Sequence, residues 1–190
     1  DDKDMTFTPK FYSKESLLIL NEYRQAFANG FLTLDTSYTE GYKNTSETKT
    51  AGSRNHVFAN LDIKLNESEA YDSNLSVKIQ RTSNDTFFRV HDINTELVNS
   101  EDTNLENEIK YNFSSENSYV DISASVFENL RGGKNSDRYE YILPNIIYGK
   151  TFFSENFGTL DFESNAFYSQ YKTNKEKTFL TNSITWNPFS

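Results

Sequence analysis

The chain has 190 residues, a formal net charge of -9 and a 35% hydrophobic share, with an isoelectric point near 4.8. That length suits one domain with a sizeable core, and the acidity argues against a nucleic-acid surface. With no cysteine there is no disulfide framework, Cys-based metal site or thiol nucleophile.

The low mean hydropathy of -0.74 would suit a disordered chain. The 16 Phe and 12 Tyr argue otherwise and fit β-structure with one wet face. No apolar run approaches the ~20 residues of a membrane helix; the longest is Leu17–Leu20. The chain begins at Asp1 and shows no signal peptide, so it reads as a mature or excised segment.

Helical periodicity is nearly absent, and period-two alternation recurs throughout. In chain order it predicts ten strands, near 4–12, 16–28, 31–41, 54–65, 74–82, 104–113, 117–129, 138–149, 157–170 and 178–187. The first carries Pro9. The fourth, "HVFANLDIKL", sets Val57, Ala59, Leu61, Ile63 and Leu65 against His56, Phe58, Asn60, Asp62 and Lys64. The fifth sets Leu75, Val77 and Ile79 against Asn74, Ser76, Lys78 and Gln80. In the sixth, Leu105, Ile109, Tyr111 and Phe113 oppose Glu106, Glu108, Lys110 and Asn112. The eighth carries Pro144 in its middle, which a sheet tolerates at a bulge.

Most of these strands run to about ten residues, the ~9–11 that a tilted strand needs to cross a bilayer. With the first strand running upward, the lower turns fall at Asn29-Gly30, 66–73, 114–116 and 150–156. The upper connections fall at 13–15, 42–53, 83–103, 130–137 and 171–177. Short turns on one side and longer loops on the other are the outer-membrane barrel pattern. The Asp/Asn-rich segment 92–104 lacks EF-hand spacing and reads as a solvated loop. The expected fold is therefore all-β, an antiparallel up-and-down transmembrane β-barrel, of which residues 1–190 form an incomplete segment of about ten strands. A soluble, surface-associated β-sandwich used for binding has the same alternation, with its apolar face turned to a core.

Several stretches also resemble one family. "DMTFTPKFYSKESLLILNEYRQAFANG" resembles the start of the barrel in LptD, the lipopolysaccharide-assembly or organic solvent tolerance family of the outer membrane. "SRNHVFANLDIKL" is similar to that family's Arg-x-His strand, with Arg54 and His56 in those places. "SNDTFFRVHDI", "DRYEYILPNIIY" and "TFLTNSITWNP" follow in the family's order, and the style is alphaproteobacterial. The resemblance implies the early part of a barrel of roughly twenty-six strands, preceded in a full member by a periplasmic jelly roll. It implies lipopolysaccharide as cargo, an LptE-like lipoprotein plug in the lumen, and contact with periplasmic Lpt bridge components through the jelly roll. The expected location is the outer membrane of a Gram-negative bacterium.

Within that frame Val57, Leu61, Ile63, Ile109 and Tyr111 face lipid. Asn60, Asp62, Lys64, Lys78, Glu106, Glu108 and Lys110 line a polar lumen. Pro9 lies in the strand that the resemblance sets beside the lateral gate, where its missing N–H would weaken the seam; the alternative reading of this strand-starting proline is that it only marks entry from the periplasmic domain. Phe11, Tyr12, Tyr38, Tyr139, Tyr148, Phe152 and Phe153 stand near strand ends, as interfacial girdles do. No catalytic, cofactor or metal residue is expected: the only histidines, His56 and His91, fall on a strand and in a loop, and catalysis needs a base held against its partner.

Overall fold

The computed structural model describes residues 2–13, 16–44, 49–131, 138–171 and 175–188. Ten strands follow one another: β1 (Lys3–Lys10), β2 (Leu18–Phe27), β3 (Gly30–Asn44), β4 (Lys49–Glu67), β5 (Tyr71–Thr82), β6 (Asn104–Ser115), β7 (Ser118–Asn129), β8 (Tyr139–Ser154), β9 (Gly158–Tyr171) and β10 (Lys175–Asn187). Each pairs antiparallel with the next, giving one up-and-down sheet in strict sequence order. The sheet is open, with β1 and β10 at its edges. Among the described residues the only helix is one turn, α1 (Phe87–Val90), between β5 and β6.

Each expected strand is present, and the main departure is that several run longer. The β3–β4 ladder continues through Gly41↔Gly52 to Asn44↔Lys49, so most of the expected 42–53 loop is strand. Its Thr- and Lys-rich sequence contains no proline to stop an antiparallel ladder. The tips at 45–48, 132–137 and 172–174 lie outside the described residues. A bulge between Lys64 and Asn66 carries β4 on to Glu67, which shortens the expected 66–73 turn to 68–70. The lower turns are thus all short, at 28–29, 68–70, 116–117 and 155–157, against an upper connection as long as 83–103.

The two mid-strand irregularities have local causes. Leu143 and Pro144 have no ladder partner on either side, because Ile142 and Asn145 pair with Ser125 and Ser123 on β7 and with Ser169 and Phe167 on β9. The proline's missing N–H therefore interrupts no ladder pair, as expected at a bulge. Asn29-Gly30 does form a tight hairpin, but Gly30 is already the first residue of β3, opposite Phe27. Neither residue has positive φ. What requires glycine there is space: an added Cβ would overlap the Asp62 carbonyl oxygen and stand 3.1 Å from the Ile63 Cα. Because both atoms are backbone, Gly30→Ala is expected to destabilise by about 1–3 kcal/mol. Denaturant titration against the parent protein checks this.

Candidate functional site

The register sorts the sheet into two faces. Ile63, Leu75, Tyr111, Ile122, Ile146, Ala166 and Leu180 are successive cross-strand partners from β4 to β10. A second row runs Leu32, Leu61, Val77, Ile109 and Ala124. Val57, Leu61, Ile63, Ile109 and Tyr111 thus share one face. Val57 and Ile109 are 42% and 51% exposed, and at the β10 edge Ile184 is 69% exposed. No second sheet or helix covers this apolar face among the described residues.

On the other face Asn60, Lys78 and Glu108 are partners in one row, and Asp62, Ser76 and Lys110 in the next. Their polar groups meet across strands. Ser76 Oγ donates to Asp62 Oδ1 at 2.6 Å, Lys78 Nζ to Glu106 Oε2 at 2.6 Å, and Ser125 Oγ to Glu108 Oε2 at 3.0 Å. Lys64 pairs instead along its own strand with Glu67 at 3.0 Å. Towards β9 and β10 this face is less polar, where Phe167 and Phe179 stack at 5.2 Å.

The packed core sits at the upper end of the polar face. Phe87, Phe88, Ile93 and Val98 from the 83–103 connection pack with Leu18, Leu20, Phe58, Leu105 and Leu130. The solvated loop expected over 92–104 is therefore corrected: Ile93 is 0% and Val98 3% exposed. Their isolated apolar side chains, set among Asn and Asp, have nowhere else in the segment to be buried. The connection folds back across β4, β3 and β2 as a strap. Leu105, expected beside Ile109, is also buried in this cluster. Above Glu108 β6 has no β5 partner, and Gln80 bridges the gap. Its Oε1 accepts from Glu106 N at 2.7 Å, and its N donates to Asn107 Oδ1 at 2.9 Å.

Beneath the strap lies a trio that the sequence did not reveal. Ser37 stands directly opposite His56 in the β3–β4 register, and Asp35 is two residues from Ser37 on the same face. Ser37 Oγ lies 2.5 Å from His56 Nδ1, and His56 Nε2 lies 3.1 Å from Asp35 Oδ1. The signal was the hairpin register, legible only once the β3–β4 turn is placed. The rings of Phe58 and Phe88 each lie 5.4 Å from the imidazole, which is 1% exposed. Both strands are interior to the sheet, so the surrounding N–H groups are committed to ladders rather than aimed at a developing oxyanion. Ser37 and His56 satisfy one another and Asp35 Oδ1, while Asp35 Oδ2 is buried without a hydrogen-bond partner.

Arg138, just before β8, clamps the root of the strap. Its terminal nitrogens reach Asp85 at 2.8 and 2.5 Å, and its Nε reaches Glu128 at 2.9 Å. Tyr139 Oη donates to the same Glu128 oxygen at 2.9 Å. The hydrogen bond from Arg138 holds the Asp85 carboxyl below its usual 3.8, against the opposing effect of burial. The same bond raises Arg138 further above its ordinary range. A carboxylate with a depressed pKa contributes stability above its unfolded value and loses it as pH falls through the folded one. The stability difference between the parent and Arg138→Ala is therefore expected to be full at pH 6 and to shrink below about pH 4. Paired urea titrations across that range measure it.

Pro9 lies in β1 opposite Ile19, in a strand with one neighbour. Together these observations define an all-β protein: a ten-stranded antiparallel meander with one bare apolar face and a polar face strapped at its upper end. No protein-family model and no curated protein matches the chain.

Proposed function

We propose that this chain is an early portion of an LptD-like transmembrane β-barrel, and that the barrel delivers lipopolysaccharide to the outer leaflet of the outer membrane. One observation carries the reading. The apolar rows are the uncovered ones, and the strap's buried side chains pack on Leu18, Leu20 and Phe58 of the polar face, reaching Leu105 and Leu130 where β6 has parted from β5. A β-sandwich would bury its apolar face against a second sheet, whereas a barrel turns it to lipid. Dimensions agree. On β4 the apolar series from Val57 to Leu65 spans about 27 Å at ~3.4 Å per residue, or about 20 Å along the membrane normal at a tilt of ~40°.

On this reading Asn60, Asp62, Lys64, Lys78, Glu106, Glu108 and Lys110 line the lumen, and β1 with Pro9 borders the lateral exit. Partners are lipopolysaccharide, an LptE-like lipoprotein and the periplasmic bridge. The barrel supplies a path and makes or breaks no covalent bond. In the full-length protein, single cysteines at Val57, Ile63 and Ile109 are expected to react with a lipid-phase reagent, and those at Asn60, Lys78 and Lys110 with an aqueous one. Equal aqueous labelling of both sets, together with solubility without detergent, would establish the soluble domain instead.

A further inference from the structure

We propose that the 83–103 strap is a latch on the β1–β2 hairpin: docked, it ties that hairpin to the body of the sheet across the polar face, and its tip must come away before β1 can swing outward. The inference rests on the reading that β1 borders the lateral exit.

The strap's two ends are held very differently. At the root, Asp85 is gripped by the paired Arg138 bonds, Ser83 N donates to Asn55 O at 2.9 Å, and Leu130 N donates to Thr103 O at 2.8 Å. All of these run to β4 or to the tops of β7 and β8. At the tip, contacts run to the first two strands. Lys10 Nζ donates to Asp92 O at 3.1 Å, Tyr12 Oη to His91 O at 3.3 Å, and Arg24 Nε lies 3.1 Å from Glu96. The Lys10 contact is exposed to solvent, where such bonds are weak, and Arg24 divides its guanidinium between Glu96 and Glu22.

β1 depends on what it gets. It pairs with β2 alone, and its residues from Lys3 to Pro9 are exposed. The strap spans the polar side of β3, so the cluster joins Leu18 and Leu20 of β2 to Phe58 of β4. A pocket of about 200 Å³ remains under the tip, between β1–β3 and Asn94–Thr95. The tip also turns through left-handed backbone, with φ 44 at Asp92, the residue whose carbonyl receives Lys10. Aspartate is among the side chains that tolerate this region best, and Asn94 Nδ2 donates to the Asp92 Oδ1 at 2.8 Å. The tip is held to β1 and β2 by single polar contacts and by the burial of Ile93 and Val98. The root also carries forked charged bonds, which makes the tip the end that releases first.

Hydrogen exchange in the full-length protein tests the coupling without reference to cargo. Removing the tip contacts in Lys10→Ala/Glu96→Gln is expected to speed exchange of residues 92–98 and of the β1 amides bonded to β2 by about tenfold, leaving β7–β9 unchanged. Faster exchange confined to 92–98 would overturn the latch and leave the strap a simple cover. Cargo supplies the second arm. A short reducible cross-linker between Lys10→Cys and Asp92→Cys should slow lipopolysaccharide delivery about tenfold, with reduction restoring it. Unchanged delivery on a verified cross-link would overturn the latch. Coupled exchange, with lipopolysaccharide delivery absent even from the parent protein, would support the latch and reject the transport reading.

Discussion

Replacing Leu61 with arginine is expected to destabilise the protein in a bilayer by about 2–4 kcal/mol, and the same replacement at Asp62 by much less. The two residues are adjacent in sequence yet on opposite faces, because side chains alternate along a strand. Leu61 lies in the apolar row between Leu32 and Val77. On the proposed barrel reading, an arginine there would place a charge in hydrocarbon. Asp62 accepts from Ser76 on the polar face, where a guanidinium stays among polar side chains rather than in an apolar row. Folding titrations of the full-length protein into lipid vesicles measure both variants. Equal costs at the two sites would remove lipid from the apolar face and return the soluble domain.

Phe88→Ala is expected to be costlier still, at about 3–5 kcal/mol, the usual range for emptying a buried aromatic site. Phe88 is 2% exposed and touches Phe58, His56 and Phe87, with ring centroids at 5.3, 5.4 and 5.9 Å. Its removal would open a cavity directly over the Ser37–His56–Asp35 trio and let water reach groups that are now sealed. The conservative Phe88→Leu should recover most of the loss, since volume-conserving apolar changes are tolerated best. Urea titration gives the magnitude. Hydrogen exchange over residues 85–98 shows whether the strap has loosened or the whole sheet has unfolded. A cost below about 1 kcal/mol would mean that the cluster contributes little to the docked strap.

The sheet was largely legible because its information is local. Alternation such as Val57, Leu61 and Ile63 against Asn60, Asp62 and Lys64 identifies a strand and divides its faces without knowledge of any neighbour. The bulge at Pro144 follows from one missing donor. Where boundaries moved, as in the 42–53 segment, ladder hydrogen bonds had carried strands beyond the last apolar side chain.

The site was less legible because it is built from pairings. Asp35, Ser37 and His56 are ordinary wet-face residues until the β3–β4 register sets the second opposite the third. Arg138 meets Asp85 across a gap of 53 residues, which no spacing rule anticipates. Phe87, Phe88, Ile93 and Val98 lie too irregularly for any period, and their burial depends on the polar face offering Leu18, Leu20 and Phe58 at its upper end. Alone, the sequence determined that this chain forms long antiparallel strands with one apolar and one polar side, because a strand's side-chain period is intrinsic to its backbone. Only the tertiary structure decided that the core lies on the polar side, because burial there depends on a long connection turning back over the sheet, and that path is set by contacts between residues far apart in the chain.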